Sequence, residues 1–253
     1  MLLDDFVAAL DPVAFARRVG IEPDAWQRDL LRSNAERMLL LCSRQAGKST
    51  VAALLGLHTA LYHAPALVLL ACPALRQAQE IFKSLVGFYG KLGQTVPTES
   101  ESALKLELTN GSRLLALPGV AQTTRGYGNV GLVILDEAAQ IDDALYDALA
   151  PSLAVSRGRI ILLSTPFGRR GIFHRLWTEG GTQWYRVKVT AADCPRIPAA
   201  FLEEQRAIMP SWSYEQEFGC VFHDDQLSAF TFADVQAALS ADVVPLFGEV
   251  VCG

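Results

Sequence analysis

The stretch Leu39-Leu40-Leu41-Cys42-Ser43-Arg44-Gln45-Ala46-Gly47-Lys48-Ser49-Thr50 joins an apolar run to a polar loop that contains Gly-Lys-Ser. An alanine-rich pattern typical of a helix follows at residues 51–61. Strand, loop and helix in this order are the context of a phosphate-binding P-loop, where backbone N–H groups and the positive helix end hold an anion. Lys48 can reach the β- and γ-phosphates of a nucleotide, and the Ser49 hydroxyl can ligate Mg²⁺.

One position departs from the P-loop pattern G-x-x-x-x-G-K-[ST], because Cys42 occupies the place of the first glycine. Gly-Lys-Ser alone occurs by chance, and the alternative is an ordinary strand-to-helix turn with a solvated lysine. We favour the P-loop because the rest of the sequence supplies the partners that such a loop needs.

The composition describes a globular protein with a large core. Of the 253 residues, 51% are hydrophobic and 19% are charged, which excludes a disordered chain. No apolar run reaches the length of a membrane span, and the acidic start at residues 1–5 is unlike a signal peptide. The five cysteines form no C-x-x-C pair, which indicates reduced, buried thiols in a cytosolic protein.

The charge pattern leaves nucleic-acid binding open. A net charge of −5 argues against a protein that coats nucleic acid with its whole surface. Between positions 157 and 188, however, the sequence contains one acid, Glu179, and many more basic residues. The basic residues are Arg157, Arg159, Arg169, Arg170, Arg175, Arg186 and Lys188. On charge alone, a solvated surface and a DNA-contacting surface fit this pattern equally well.

The apolar pattern predicts a mainly parallel sheet. A second strand at residues 66–72 returns beside the first through a helix, as a βαβ unit. Residues 104–108 alternate, Asn110-Gly111 is a hairpin signal, and residues 113–117 run back, which predicts an antiparallel hairpin at one edge. Further strands are predicted at residues 132–135, 159–163 and 183–190.

Helical patterns occupy most of the remaining chain. They are predicted at residues 13–19, 23–31, 51–61, 74–89, 143–153, 172–178, 201–209 and 213–218, and a capping box at 231–234 opens one more. We divide the chain into an α/β core (1–197), a small helical linker or subdomain (198–246) and a strand at 247–253. Because a domain rarely stops inside a strand, we interpret 247–253 as the start of a truncated further domain.

Two adjacent acids end the apolar run at residues 132–135. Asp136 and Glu137 at the end of a buried strand would be costly there without a function. In a P-loop protein the first carboxylate supports the Mg²⁺ shell and the second can polarise the attacking water. Two solvated acids at a strand end are the alternative, which the presence of the P-loop disfavours.

Two further polar pairs have open interpretations. Ser164 and Thr165 follow a buried strand and can lie beside the Mg²⁺ site, although a polar turn before Pro166 explains them equally well. Trp26 and Gln27 precede the first core strand and could stack on adenine and read its edge. Taken alone, we favour for this pair a Trp26 that packs in the core and a Gln27 that is solvated.

The order of these segments resembles the large terminase subunit of tailed bacteriophages, the ATP-driven motors that pump genomic DNA into the capsid. The resemblance covers essentially the whole chain and is carried by Trp26-Gln27, residues 43–49, residues 132–139 and residues 164–166. Arg125-Gly126 is similar to the family's arginine loop. The resemblance implies a P-loop NTPase fold of the ASCE, RecA-like type, with a mainly parallel sheet flanked by helices and an antiparallel edge hairpin.

The resemblance also implies roles for residues around the nucleotide. Mg-ATP would lie beside Trp26 and Gln27 on the loop residues Ser43, Arg44, Gln45, Ala46, Gly47, Lys48, Ser49 and Thr50. Lys48 would bind phosphates, Ser49 and Asp136 would hold Mg²⁺, and Arg44 would sense the γ-phosphate. Glu137 would be the catalytic base.

Other implied roles concern movement and assembly. Arg125 would act as a finger on the nucleotide of a neighbouring subunit in a pentameric ring, and Ser164 and Thr165 would couple hydrolysis to subdomain movement. Arg169 and Arg170, with Lys83 or Lys91, are candidates for contacts with double-stranded DNA. The implied partners are the portal protein and the small terminase subunit, in the cytoplasm of the host cell and not at a membrane.

The resemblance implies one absence. Full-length terminases continue into a nuclease of RNase H-like fold, whose first metal-binding Asp ends its first strand. Residues 250–253 would be that strand and contain no Asp, so we expect no nuclease activity.

Two other functions compete with the packaging motor. A helicase-like ATPase would carry a second RecA-like lobe with its own arginine finger, for which this chain is too short. A nucleotide-responsive docking module without appreciable turnover is the other alternative, which the pair of Asp136 and Glu137 disfavours.

Overall fold

One sheet organises the part of the chain that the computed structural model describes, residues 2–119, 126–224 and 238. Its strands in these residues are β1 (Arg37–Cys42), β2 (Leu67–Cys72), β3 (Thr98–Ser102), β4 (Lys105–Leu108), β5 (Arg113–Pro118), β6 (Val130–Asp136), β7 (Arg159–Ser164) and β8 (Tyr185–Val189). Their order across the sheet is β3-β4-β5-β2-β6-β7-β1-β8. Neighbouring strands pair in parallel along β5-β2-β6-β7-β1-β8. The pairs β3–β4 and β4–β5 are antiparallel. The predicted parallel sheet with an antiparallel edge hairpin is therefore confirmed.

The position of β2 differs from the prediction, which placed this strand beside β1. β6 and β7 lie between the two strands instead. Both inserted strands are buried along nearly their whole length, so they occupy central positions that helices cover on both faces. The insertion brings the carboxyl end of β6 close to the P-loop. β3, a polar strand without apolar alternation, was not predicted.

Helices cover both faces of the sheet. The α-helices in the described residues are α1 (Leu2–Leu10), α2 (Pro12–Arg18), α3 (Ala25–Arg32), α4 (Lys48–Tyr62), α5 (Leu75–Lys91), α6 (Asp143–Leu149), α7 (Leu153–Ser156), α8 (Gly171–Glu179), α9 (Ala199–Ile208) and α10 (Ser211–Glu217). One buried cluster joins α2, α4 and α5 to one sheet face, and a second joins α6, α7 and α8 to the other. None of the helices in the described ranges combines the length and the apolarity needed to cross a membrane.

The helix predicted at residues 143–153 is interrupted. α6 ends at Leu149, a short 3₁₀ segment follows at Ala150–Ser152, and α7 starts at Leu153. Pro151 explains the break, because proline has no N–H for the helical hydrogen bond and its ring clashes with the preceding turn.

Several predictions concern residues outside the described ranges. These are the loop that contains Arg125, the helix opened at residues 231–234 and the strand at residues 247–253. The subdomain predicted at residues 198–246 is described only through α9, α10 and the segment that follows them up to residue 224.

The cysteines in the described residues are free and buried: Cys42, Cys72, Cys194 and Cys220. Burial raises the pKa of the Cys220 thiol to about 12, and it raises the pKa of the other three thiols as well. A thiol with a raised pKa is a poor nucleophile, so we expect these four cysteines to be unreactive.

A buried histidine on α4 holds the first helix against the core. The neutral ring of His58 donates from Nε2 to the Ala8 carbonyl oxygen at 3.1 Å, which requires the tautomer with the proton on Nε2. The ring also packs edge-on against Phe15, with 5.3 Å between the ring centres. Burial lowers the pKa of His58 from 6.5 to about 4, because the charged ring would lose its hydration.

We expect the protein to lose stability through His58 as the pH falls from 6.5 towards about 4. In this window the unfolded chain binds a proton on His58 and the folded chain does not, so protons favour unfolding. The stability that neutral His58 contributes is fully present above pH 6.5 and is lost as the pH falls through about 4. Urea unfolding of His58→Gln should show a flatter pH dependence than the wild type, and His223→Gln, whose ring lies beside Glu215 on α10, is the control. An unchanged slope in His58→Gln would contradict this assignment.

Candidate active site

The P-loop has the predicted context of strand, loop and helix. β1 ends at Cys42, and α4 begins at Lys48. Cys42 lies within the strand and outside the left-handed region, so no glycine is required at this position. Gly47 has a φ of 93°, and a Cβ there would lie 2.8 Å from Nε2 of Gln27, so this position does require glycine.

A cavity of about 400 Å³ opens in front of this loop. Its lining comes from the P-loop, from α5 and from the ends of β6 and β7: Arg44, Gln45, Gly47, Lys48, Ser49, Thr50, Gln77, Glu137, Gln140 and Thr165. Because the carboxyl ends of parallel strands meet at this edge, residues far apart in sequence converge here.

Lys48 connects the P-loop to the second acid. Its buried Nζ lies 3.4 Å from the Ser43 carbonyl oxygen and 3.5 Å from Oε1 of Glu137. The ammonium group therefore stands between the loop backbone and the carboxylate, at the side of the cavity where phosphates would lie.

Ser49 and Asp136, the two residues predicted to hold Mg²⁺, are in direct contact. The Ser49 hydroxyl donates to Oδ2 of Asp136 at 2.9 Å. Burial, and then the nearby charge of Glu137, raise the pKa of Asp136 to about 6. The oxygen ligands fit Mg²⁺, which takes one or two protein ligands and completes its shell with phosphates and water. No group of three or more His, Cys, Asp or Glu side chains that could hold a metal by itself lies in the described residues.

Glu137 has an unusual backbone conformation and polar neighbours on both sides. Its φ of 52° is in the left-handed region, which costs a residue with a Cβ about 1–3 kcal/mol. Oε2 accepts from the Thr165 hydroxyl at 3.2 Å and from the Ser164 hydroxyl at 3.4 Å. The Ser164 hydroxyl oxygen also accepts from the backbone N–H of Ala139 at 3.1 Å. Ser164 and Thr165 therefore lie beside the acids and are more than a polar turn before Pro166.

Arg44 pairs with a residue from the C-terminal helices. Its guanidinium forms an ion pair with Glu217 of α10, and its backbone N–H donates to the Glu217 carbonyl oxygen at 3.0 Å. The side chain of Arg44 is largely exposed and lines the cavity. Nothing in the sequence linked these two residues.

The favoured interpretation of Trp26 and Gln27 was half wrong. Trp26 packs against the core as expected, but Gln27 is buried and not solvated. Its Oε1 accepts from the backbone N–H of Asp24 at 2.9 Å, and its Nε2 faces Gly47. Neither side chain lines the cavity, and their adenine contact stays a prediction.

Arg196 supports the P-loop from outside the cavity, and the sequence did not indicate this contact. Its Nη2 donates to the Ala46 carbonyl oxygen and to Oδ2 of Asp24, each at 2.7 Å. Gln77 and Gln140 were also missed. Their position shortly after β2 and β6 could have indicated them as cavity residues, since both strands end at the edge of the sheet that carries the P-loop.

The basic residues between positions 157 and 188 have mixed surroundings. Arg159 donates to the carbonyl oxygens of Ser33 and Ala35, and Arg186 to those at the end of α8, so these two are structural. Arg169 forms an ion pair with Asp224 at 3.8 Å, and the Arg170 guanidinium lies 5.1 Å from the centre of the Phe167 ring.

Known proteins share this fold. The Thermus phage P74-26 large terminase ATPase domain superposes with a TM-score of 0.73 at 22% identity, covering 82% of this chain and 97% of that one. The large terminase of another thermophilic bacteriophage, in complex with ADP, gives a TM-score of 0.63 at 12% identity, covering 82% of this chain and 52% of that one. At these identities the likeness confirms the P-loop NTPase-like fold.

Sequence comparison goes further. The large terminase subunit of Thermus phage G20c is 25% identical over 87% of this chain. The alignment covers 53% of that relative, so this chain spans about half its length. A family model described as terminase large subunit, T4likevirus-type, N-terminal, matches residues 39–237. Since this match covers most of the sequence, the chain belongs to the terminase large subunit family, in its N-terminal part.

Proposed function

We propose that this chain is the ATPase motor domain of a viral DNA-packaging terminase, which couples hydrolysis of Mg-ATP to movement of double-stranded DNA into a capsid. One observation carries the proposal: Glu137 lies between Lys48 and Thr165 in the cavity that is also lined by Ser49, the hydrogen-bond partner of Asp136. The names of the relatives support it, because one is called an ATPase domain and another was solved with ADP.

The P-loop side of the cavity would bind the triphosphate. Backbone N–H groups of the loop and the N-terminus of α4 would face the β-phosphate, and Lys48 would contact the β- and γ-phosphates. Ser49 and Asp136 would hold Mg²⁺, which when bound offsets phosphate charge as the γ-phosphoryl group transfers.

Glu137 would act as the general base. It accepts a proton from water as the water oxygen forms a bond to the γ-phosphorus, and the bond from that phosphorus to the bridging oxygen breaks to release ADP. The hydroxyls of Ser164 and Thr165 orient the carboxylate. Any change in the charge of Glu137 therefore reaches the end of β7 directly.

The same contacts suggest how hydrolysis moves DNA. Residues 166–170 follow β7 and carry Arg169 and Arg170, our candidates for contacts with DNA phosphates. On the other side, Glu217 links α10 to Arg44 in the P-loop. In the assembled motor we propose a pentameric ring that works with the portal protein and the small terminase subunit, in the host cytoplasm.

Arg125→Ala is expected to lower phosphate release by about 10³-fold or more in the assembled ring, with little change in Mg-ATP affinity. A finger supplied by a neighbouring subunit stabilises charge in the transition state and is worth about 10³–10⁵ in turnover. The measurement is phosphate release from Mg-ATP per subunit as a function of protein concentration.

In wild type this rate should rise with concentration, because the active site is completed between subunits. Arg113→Ala, which changes an exposed arginine on β5, is the control and should behave as wild type. A rate that is independent of concentration and of Arg125 would indicate a self-contained ATPase and remove the finger role.

A docking module remains the second candidate function, because Glu217 joins the C-terminal helices to the P-loop. It predicts that the wild type binds Mg-ATP and shows no turnover at any concentration, with or without DNA. A helicase-like activity would instead appear as turnover stimulated by single-stranded nucleic acid.

A further inference from the structure

Arg196 connects three segments at the back of the P-loop. It lies between β8 and α9, and its guanidinium reaches Asp24, the N-cap residue of α3. Nε and Nη2 donate to Oδ2 of Asp24 at 3.1 and 2.7 Å, and Nη2 also donates to the Ala46 carbonyl oxygen at 2.7 Å. The Asp24 side chain is only 11% exposed.

The carbonyl that Arg196 binds belongs to a critical peptide group. In a planar trans peptide the C=O and the following N–H point in opposite directions. A guanidinium that fixes the Ala46 carbonyl behind the loop therefore fixes the Gly47 N–H towards the front, where Gly47 lines the cavity.

We propose that Arg196 is a positioning residue that holds the Gly47 N–H in the orientation needed to donate to a nucleotide phosphate. This inference rests on the proposed function, since it concerns the same phosphate site. It adds a residue from outside the P-loop, in the segment that leads into the C-terminal helices.

Gly47 is the residue that most needs such a restraint. With a φ of 93° and no Cβ, its flanking peptide can rotate more freely than that of any other residue type. The guanidinium also closes the space beside it, because a Cβ on Gly47 would lie 3.0 Å from Nη2 of Arg196.

Asp24 restricts Arg196 to orienting the P-loop backbone. The carboxylate balances the charge of the guanidinium, so long-range attraction of phosphate by Arg196 is weak. Gln27 is held by the backbone N–H of Asp24 and packs under Gly47, which completes the support. Loss of Arg196 should thus affect nucleotide binding more than the chemical step.

The test follows the Gly47 N–H directly. Ala46-Gly47 is the single Ala-Gly pair of the sequence, so ¹³C-carbonyl alanine with ¹⁵N-glycine labelling gives one NMR signal for this amide. The probe is Mg-ADP, and calorimetry of the same samples gives its Kd.

In wild type, Mg-ADP should shift the Gly47 amide proton downfield as it donates to phosphate. In Arg196→Ala this shift should be lost and the Kd should rise about tenfold, with kcat at saturating ATP within about twofold. Arg196→Lys, which keeps a positively charged N–H donor group, should restore part of the shift. Arg17→Ala is the control, because Arg17 is similarly exposed and paired with Glu22.

The outcomes separate the two levels of the proposal. An Arg196→Ala protein whose Gly47 amide shifts as in wild type would overturn the positioning role while leaving the ATPase proposal intact. A wild-type protein that binds no Mg-ADP would overturn the proposed function, and this inference with it. If Arg196→Ala does not fold, the Gly47 amide shift and the Kd for Mg-ADP are measured in Arg196→Lys and Asp24→Asn instead.

Discussion

Glu137→Gln is expected to reduce Mg-ATP turnover by about 10²- to 10⁴-fold, the usual contribution of a general base, while Mg-ATP binding stays within a few-fold of wild type. The amide keeps the size of the carboxylate and can still accept from Thr165, but it cannot take a proton from water. Single-turnover phosphate release measures the chemical step, and calorimetry with a non-hydrolysable analogue measures binding.

Glu203→Gln on α9 is the matched control for the Glu137 variant, because it makes the same chemical change away from the cavity. It should retain wild-type turnover. Hydrolysis in Glu137→Gln that stays close to the wild-type rate would show that another group takes the proton.

Lys48→Ala is expected to weaken Mg-ATP binding by about 100-fold. Hydrogen bonds to charged groups contribute about 1.5–3 kcal/mol each, and every 1.4 kcal/mol is a factor of ten in Kd. The variant also leaves Glu137 without the ammonium group that lies 3.5 Å away in the wild type. Calorimetric titration with the non-hydrolysable analogue measures the loss.

Lys105→Ala is the corresponding control, since Lys105 pairs with Glu107 on β4, outside the cavity lining. Its affinity should equal that of wild type. An Lys48→Ala protein that binds the analogue with wild-type affinity would mean that the phosphates do not lie on this loop.

Local sequence was sufficient to predict the parts of the site that follow one another along the chain. The run into Gly47 and Lys48, and the run into Asp136 and Glu137, each end a buried strand, and strand ends meet at one sheet edge. The fold class followed from the same pattern, because apolar runs separated by helices require parallel pairing.

Contacts between distant segments could not be predicted in this way. The place of β6 and β7 between β1 and β2 depends on which strands bury both faces, and adjacency in sequence does not reveal it. The bond from Arg196 to the Ala46 carbonyl spans 150 positions and uses a backbone acceptor, which every residue offers. The periodic pattern of apolar residues therefore cannot predict this hydrogen bond.

The left-handed backbone at Glu137 lowers stability at the position of the proposed catalytic base. Glycine, asparagine or aspartate accepts this conformation at lower cost, so each would relieve strain where the glutamate stores it. Evolution towards higher thermal tolerance alone would favour losing the long carboxylate at this position. Screens that select for a more robust domain without testing activity are then expected to enrich inactive variants here.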